Sequence, residues 1–197
     1  MDEVAYGLEL SGQRFLWVVR SPSNPGDLRS NFYNAERKND PFAFLPEGFQ
    51  ERTKERGMLV SSWAPQMKVL AHQATGGYVC HCGWNSTLET VVHGVPIIAW
   101  PLFAEQKQNA VMLSEGVGIA LRLEKREDGL VQREEIARKV RELMEGDEGK
   151  RVRRNVTELK EAVVEGMKLC CTGAGAGVAS DSLRVRGCGI FQKTRIR

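Results

Sequence analysis

The stretch HCGWNSTLE, from His81 to Glu89, gathers anion-binding and hydroxyl-binding groups where a strand pattern gives way to a helix pattern. A bend at Gly83 followed by a helix start leaves unpaired backbone amides at the positive end of the helix dipole, which favours an anion. His81 can add a donor or a positive charge, and Asn85 and Ser86 can reach further oxygens. A carboxylate repels phosphate, so we expect Glu89 to accept hydrogen bonds from sugar hydroxyls. The pattern therefore favours a diphosphate ligand.

Two other interpretations of this stretch stay open. Asn85 or Ser86 can serve as the N-cap of the helix, with Glu89 completing a capping box and no ligand involved. Cys80 and Cys82 flank the histidine, as zinc ligands could. Structural zinc sites usually pair a Cys-x-x-Cys with a second pair, however, and none follows at a suitable spacing. We therefore expect no metal and reduced thiols.

The elements that position these groups follow from the alternation of two kinds of segment. Short apolar segments predict strands at Arg14–Val19, Met58–Trp63, Gly76–His81, Val95–Pro101 and Gly118–Leu123. Helical patterns separate or follow these strands, and one helical pattern ends at Gly94. This alternation predicts an α/β fold with an open parallel sheet covered on both faces. Ligands bind such sheets at the carboxyl ends of strands, which is where HCGWNSTLE lies.

Composition limits the class of protein. The chain has 197 residues, of which 42% are hydrophobic and 27% charged, as is typical of one globular domain. Neither a membrane-spanning run nor a secretory signal pattern is present in the sequence, so we expect a cytosolic protein that does not bind membranes. The net charge is +3, but six basic residues and one acidic residue lie after Met167. The preceding part is slightly acidic, which argues against binding to nucleic acid.

The sequence from Trp63 to Gln106, WAPQMKVLAHQATGGYVCHCGWNSTLETVVHGVPIIAWPLFAEQ, resembles the donor-binding signature of plant family-1 UDP-glycosyltransferases, the plant secondary product box. The resemblance includes the first and last residues of the box, the inner HCGWNS, and the GVP and FAEQ elements. Outside the box, GLELSGQRFLWVVRSP and DPFAFLPEGF are similar to the branch that glucosylates small phenols, such as hydroquinone glucosyltransferases. The similarity runs from about Tyr6 to Met167.

The resemblance implies a role for each matched position. The donor implied is UDP-glucose, because a glutamine at the last position of the box goes with glucose donors in this family. An indole face suits stacking on uracil, and paired carboxylate and amide groups suit sugar hydroxyls. The implied contacts are uracil with Trp63 and the Ala64 backbone, ribose with Gln66 and Glu89, diphosphate with His81, Gly83, Asn85 and Ser86, and glucose with Trp84, Glu105 and Gln106.

The resemblance also implies transfer of glucose to a phenolic hydroxyl in a two-domain GT-B fold, without a metal or other cofactor. In the family, the catalytic histidine, its aspartate partner and the acceptor pocket lie in an N-terminal domain, whereas this sequence begins inside the first helix of the C-terminal, Rossmann-like domain. We therefore expect residues 1–167 to form the donor-binding domain, without a catalytic base, and residues 168–197 to form a divergent, disordered tail. A phenolic acceptor is expected only when an N-terminal domain is supplied. The alternatives are a non-catalytic UDP-sugar-binding module and an inactive truncated product.

Overall fold

The computed structural model describes residues 1–19 and 42–173, with side chains as far as Lys168. Most of the predicted tail, residues 174–197, lies outside the described residues. Strands and helices alternate along the described part, and each strand overlaps a segment predicted to be one. The strands are β1 (Phe15–Val19), β2 (Gly57–Ser61), β3 (Tyr78–Cys80), β4 (Ile97–Ala99) and β5 (Ala120–Arg122). The helices are α1 (Asp2–Ser11), α2 (Phe49–Thr53), α3 (Gln66–Leu70), α4 (Trp84–His93), α5 (Gln106–Val111), which continues into a π-helical turn (Met112–Gly116), α6 (Arg133–Glu145) and α7 (Asp147–Gly173).

The strands pair in parallel, as predicted, but they form two groups of hydrogen-bonded strands. One sheet has the order β1-β2, and the other has the order β3-β4-β5. The expectation of a single open sheet is wrong for the described residues, because no strand among them hydrogen-bonds to both β1 and β3. Helix α6 nevertheless unites the two groups. Its Val140 packs with the apolar cluster around β1 and also with the cluster around β4 and β5.

The β3-β4-β5 sheet is covered on both faces. Neighbouring residues of a strand point to opposite faces, so Ile97 and Ile98 enter different clusters. Ile97 packs with Val91 of α4 and Val156 of α7, whereas Ile98 packs with Leu143 of α6. These residues are nearly or fully buried. Burial on both faces explains why the strands appear in the sequence as short, almost wholly apolar runs.

Helix α1 is fixed closely against α6. A Cβ at Gly7 would lie 2.6 Å from the Cβ of Ile136, so the two helices can approach this closely only because Gly7 has no side chain. Arg133 forms an ion pair with Glu3, and its guanidinium carbon lies 4.3 Å from the centre of the Tyr6 ring. The Glu3 carboxylate also accepts a hydrogen bond from the Arg133 backbone amide at 2.7 Å. These contacts between α1 and α6 hold the β1-β2 sheet, on which α1 packs, to the rest of the protein.

The last helix extends further than the sequence pattern indicates. Helix α7 ends at Gly173, so the boundary predicted at Met167 lies inside a helix. No helix in residues 1–19 and 42–173 is both long enough and apolar enough to cross a bilayer.

Candidate functional site

The candidate site is built around the start of helix α4. Gly83 occupies the N-cap position in an extended conformation (φ −68°, ψ 144°), and its carbonyl accepts a hydrogen bond from the Thr87 amide at 3.0 Å. The residue before it, Cys82, has a positive φ of 63°, which turns the chain sharply out of β3. The backbone itself therefore makes the bend, and the helix begins immediately afterwards at Trp84.

This start overturns the N-cap prediction. Asn85 and Ser86 lie inside the first turn of the helix rather than before it, and within residues 1–19 and 42–168 no side chain caps α4. The capping-box interpretation fails as well, because the Glu89 side chain accepts a hydrogen bond from Gln66 instead. The amides of the first turn have no capping side chain, so they remain available to an anion.

His81 lies beside Gly83 and is partly buried. A Cβ at Gly83 would lie 2.3 Å from the Nε2 atom of His81, so the imidazole can occupy this position only against a glycine. Burial lowers the pKa of His81, and the Glu105 carboxylate opposes that effect. The imidazole is therefore neutral near pH 7, and of the two roles allowed by the sequence the structure favours a donor over a positive charge. Among the described residues, its buried Nδ1 atom has no hydrogen-bond partner.

Gln66, Glu89 and Ser86 form one hydrogen-bonded cluster. The Nε2 atom of Gln66 donates to the Oε2 atom of Glu89 at 2.5 Å and to the Oγ atom of Ser86 at 3.2 Å. Gln66 begins α3, after β2, whereas the other two residues lie on α4, after β3. The structure therefore brings together groups that are about twenty residues apart in the sequence.

Tyr78 is a member of this cluster that the sequence analysis missed. Its hydroxyl donates to the Oε1 atom of Gln66 at 3.1 Å. Tyr78 is the first residue of β3 and points from the sheet toward α3. The sequence signal that was available is a hydroxyl-bearing aromatic residue in an otherwise apolar strand.

Trp63 and Ala64 lie in the loop between β2 and α3, and their side chains differ in exposure. The indole of Trp63 is 57% exposed, whereas Ala64 is buried with Val18 and Val60. Ser62, with a positive φ of 66°, precedes them. The turn thus anchors Ala64 in the core and leaves the Trp63 ring accessible, three residues before Gln66 in the chain.

The residues predicted to contact a glucose unit have different environments. Trp84 is 53% exposed at the start of α4, and Asn85 beside it is exposed too. Glu105 is exposed at the N-cap of α5, but Gln106 is buried. The Oε1 atom of Gln106 accepts hydrogen bonds from the backbone amides of Leu102 at 2.9 Å and of Phe103 at 3.2 Å.

Gln106 therefore has a narrower role than its residue type allows. Its amide oxygen is already occupied by the loop, so only its NH2 group can serve a ligand. Asn109, which the sequence analysis did not single out, joins this loop to the start of α4, because its Nδ2 atom donates to the Cys82 carbonyl at 2.9 Å. An amide one turn after Gln106 on the same helix was the available signal.

Cys80 and Cys82 are buried free thiols. The Cys82 amide donates to the Cys80 sulfur at 3.2 Å, and the Cys82 sulfur contacts the Cys80 carbonyl at 3.5 Å. Over the range that the structure describes, no three His, Cys, Asp or Glu side chains form a group that could hold a metal ion. The two thiols therefore contribute to packing and to the bend.

The predicted site residues all follow the carboxyl ends of β2, β3 and β4. Helix amides, a neutral imidazole, an exposed indole and a cluster of carboxylate, amide and hydroxyl groups lie along this edge, where parallel α/β sheets hold their ligands. The fold and the position of the polar groups define a Rossmann-like α/β domain.

The comparisons with known proteins give the family. Residues 1–161 match the family model described as UDP-glucoronosyl and UDP-glucosyl transferase. The chain therefore belongs to the UDP-glycosyltransferase family, as its resemblance to the plant members predicts.

Individual relatives support this membership. The chain is 58% identical over 163 residues to UDP-glycosyltransferase 72B2 of Arabidopsis thaliana, covering 83% of this chain and 34% of the relative. It is 58% identical over 160 residues to hydroquinone glucosyltransferase of Rauvolfia serpentina, covering 81% of this chain and 34% of that relative. The structure of Phytolacca americana UGT2 complexed with UDP-2-fluoro-glucose and pterostilbene matches with a TM-score of 0.74 and 52% identity, over 88% of this chain and 37% of that chain. The predicted fold class, the Rossmann-like part of a GT-B glycosyltransferase, is confirmed. The chain spans about a third of the length of these relatives.

Proposed function

We propose that this chain forms the UDP-sugar-binding half of a glucosyltransferase that transfers glucose from UDP-glucose to the hydroxyl of a small phenol. The observation that carries the proposal is the Gln66–Glu89–Ser86 cluster at the carboxyl edge of the strands, which follows the exposed Trp63 by three residues in the chain. Such a cluster offers acceptors to sugar hydroxyls, and the indole offers a flat face to a base. The Phytolacca americana relative was solved with UDP-2-fluoro-glucose and a phenolic compound, pterostilbene.

Each predicted residue takes the role that its environment allows. We propose uracil stacked on Trp63 and held by the Ala64 backbone, ribose hydroxyls on Gln66 and Glu89, the diphosphate at the amides after Gly83 with His81, Asn85 and Ser86, and glucose against Trp84, Glu105 and the NH2 group of Gln106. The division is consistent with charge, because the two carboxylates are assigned to hydroxyl groups and the donors are assigned to phosphate oxygens.

The site would serve the leaving group of the reaction. The acceptor oxygen attacks the anomeric carbon of glucose, the bond from that carbon to the diphosphate oxygen breaks, and the acceptor proton passes to a base. Helix amides and the imidazole would stabilise the negative charge that develops on UDP. We propose that the base and the acceptor pocket come from the part of the relatives that this chain does not match. Loss of a general base typically costs about 10²–10⁴ in rate.

A second candidate is a non-catalytic module that binds a UDP-sugar. Its support is the same Gln66–Glu89–Ser86 cluster, which would hold a UDP-sugar whether or not transfer follows. This module would bind UDP-glucose without transferring its sugar under any condition. The cytosolic location expected from the sequence stays a prediction in either case.

Binding and transfer, measured separately, test the proposal. Titration calorimetry of the chain with UDP should show one saturable site per chain. Glucosyl transfer from UDP-glucose to hydroquinone, followed by mass spectrometry, should be absent for the chain alone and should appear when the N-terminal part of hydroquinone glucosyltransferase is added. Transfer that never appears would favour the non-catalytic module. No binding of UDP to a chain that circular dichroism shows to be folded would contradict both candidates.

A further inference from the structure

We propose that Tyr78 is a positioning residue that fixes the orientation of the Gln66 amide and thereby sets the preference of the site for a ligand with ribose hydroxyls. The inference rests on the proposed function, because it assigns the Gln66–Glu89 pair to ribose. It goes beyond that function in naming a residue that would act on the ligand only through another side chain.

The chemistry of the three partners fixes the orientation of the Gln66 amide. The Glu89 carboxylate can only accept hydrogen bonds, so the NH2 group of Gln66 must face it, at 2.5 Å. The amide oxygen then faces the opposite way, toward the Tyr78 hydroxyl at 3.1 Å, and that hydroxyl must donate. A rotated amide would place two acceptors together at Glu89, and the Tyr78 hydroxyl would lose the oxygen to which it donates. The observed arrangement is therefore the one in which every contact pairs a donor with an acceptor.

Burial keeps Tyr78 in its donor form. Desolvation raises the pKa of the phenol well above its ordinary value, and the thiol of Cys80 and the carboxylate of Glu89 act in the same direction, while the Ser86 hydroxyl opposes them. The phenol is therefore protonated at neutral pH and can donate. Because Tyr78 begins a strand that pairs with β4, its backbone is held in place and its hydroxyl stays in position to contact the Gln66 amide.

The contact also determines what remains available to a ligand. With the Gln66 NH2 group held by Glu89 and Ser86, the second oxygen of Glu89 remains available to accept hydrogen bonds from a bound molecule. Without the phenol hydroxyl, the buried amide oxygen of Gln66 loses its partner, and only Glu89 and Ser86 still oppose rotation of the amide. Rotation would withdraw the donor from Glu89 and change the acceptor that ribose hydroxyls meet. Contacts to the base, and those of the diphosphate with the helix amides and His81, come from other groups and would be unaffected, whereas Ser86 is shared with the Gln66 cluster.

The test compares UDP with 2′,3′-dideoxy-UDP, which lacks the ribose hydroxyls, by titration calorimetry on the full chain. Tyr78→Phe should weaken UDP binding about 2- to 12-fold, the equivalent of 0.5–1.5 kcal/mol for one neutral hydrogen bond. Its affinity for 2′,3′-dideoxy-UDP should fall less, because Ser86 is the one phosphate contact that the cluster shares. Tyr6→Phe, which removes a phenol hydroxyl beside Arg133, is the matched control and should leave both affinities unchanged.

Further results separate this inference from its alternatives. In a Gln66→Ala background, Tyr78→Phe should have no additional effect on UDP binding, because the residue would act only through that amide. Equal weakening of both nucleotides by Tyr78→Phe would mean a merely structural role and would overturn the inference, as would no weakening of UDP. Failure of the unmodified chain to bind UDP would instead overturn the proposed function.

Discussion

Substitution of Gly83 by alanine should disable the anion site without unfolding the protein. The φ and ψ angles of Gly83, −68° and 144°, suit an alanine, so the backbone has no reason to move. The new Cβ, however, would lie 2.3 Å from Nε2 of His81 and 3.0 Å from its Cδ2 atom. Because non-bonded atoms settle at 3.5–4.0 Å, the imidazole must retreat by at least about 1 Å. The substitution thus displaces one functional group.

The expected magnitude follows from the contact that would be lost. A hydrogen bond to a charged group contributes about 1.5–3 kcal/mol, so its loss from a bound diphosphate should weaken UDP-glucose binding about 12- to 140-fold. The free energy of unfolding should change much less, because a partly buried ring can move toward solvent. The assay is titration calorimetry with UDP-glucose, with urea unfolding of the same samples.

Two further variants make the reasoning refutable. Gly166→Ala is the matched control, since a Cβ there meets no atom within 4 Å, and it should leave UDP-glucose affinity unchanged. In a His81→Ala background, Gly83→Ala should cost nothing more, because the ring that it displaces is gone. A full additional loss in that background would show that Gly83 acts by another route, and an unchanged affinity in the single variant would show that His81 does not contact the donor.

Three other predictions concern different parts of the molecule. Because burial lowers the pKa of His81 and a bound diphosphate would raise it, binding of UDP-glucose should take up a proton. Calorimetry should therefore find that UDP-glucose affinity rises as pH falls from 8 to 6, by no more than about tenfold per pH unit. The rise should vanish in His81→Gln. Trp63→Ala should weaken UDP binding about 5- to 140-fold, because stacking on a base contributes about 1–3 kcal/mol. Trp84 is similarly exposed, but Trp84→Ala should weaken the binding of UDP-glucose and not that of UDP, and titrations with both ligands would test this. Gly7→Ala should lower the free energy of unfolding by about 1–3 kcal/mol, because its Cβ overlaps Ile136; urea denaturation that finds no loss would mean that the helices separate easily.

The sequence predicted the strands because each is a short apolar run bounded by polar or turn-forming residues. Strand β3, from Tyr78 to Cys80, is an example of such a run. The division into two hydrogen-bonded groups could not be predicted, since pairing depends on which strands lie side by side and not on the composition of any one. The predicted boundary at Met167 falls inside α7 for a different reason. A helix already formed continues at little cost, so it runs on to Gly173 through residues with no amphipathic pattern.

The sequence predicted which edge of the strands carries the candidate residues, but it did not predict their contacts. Residue types and the strand-to-helix change place His81 and Glu89 at the edge where ligands bind, and the structure finds them there. The start of α4 was misplaced because a positive φ at Cys82 is a property of the folded backbone and has no sequence signal as strong as a glycine. Hydrogen bonds between distant residues, such as those of Tyr78 and Gln106, depend on side-chain directions that sequence spacing does not determine.

The crystal structure of the chain with UDP is the most direct test of the central claim, which is that the carboxyl edge of the strands holds the nucleotide. We expect uracil against the indole of Trp63, ribose hydroxyls within hydrogen-bond distance of Glu89, and the diphosphate at the backbone amides that follow Gly83. UDP bound elsewhere on the chain, or bound here with its phosphates turned toward Glu89, would contradict it.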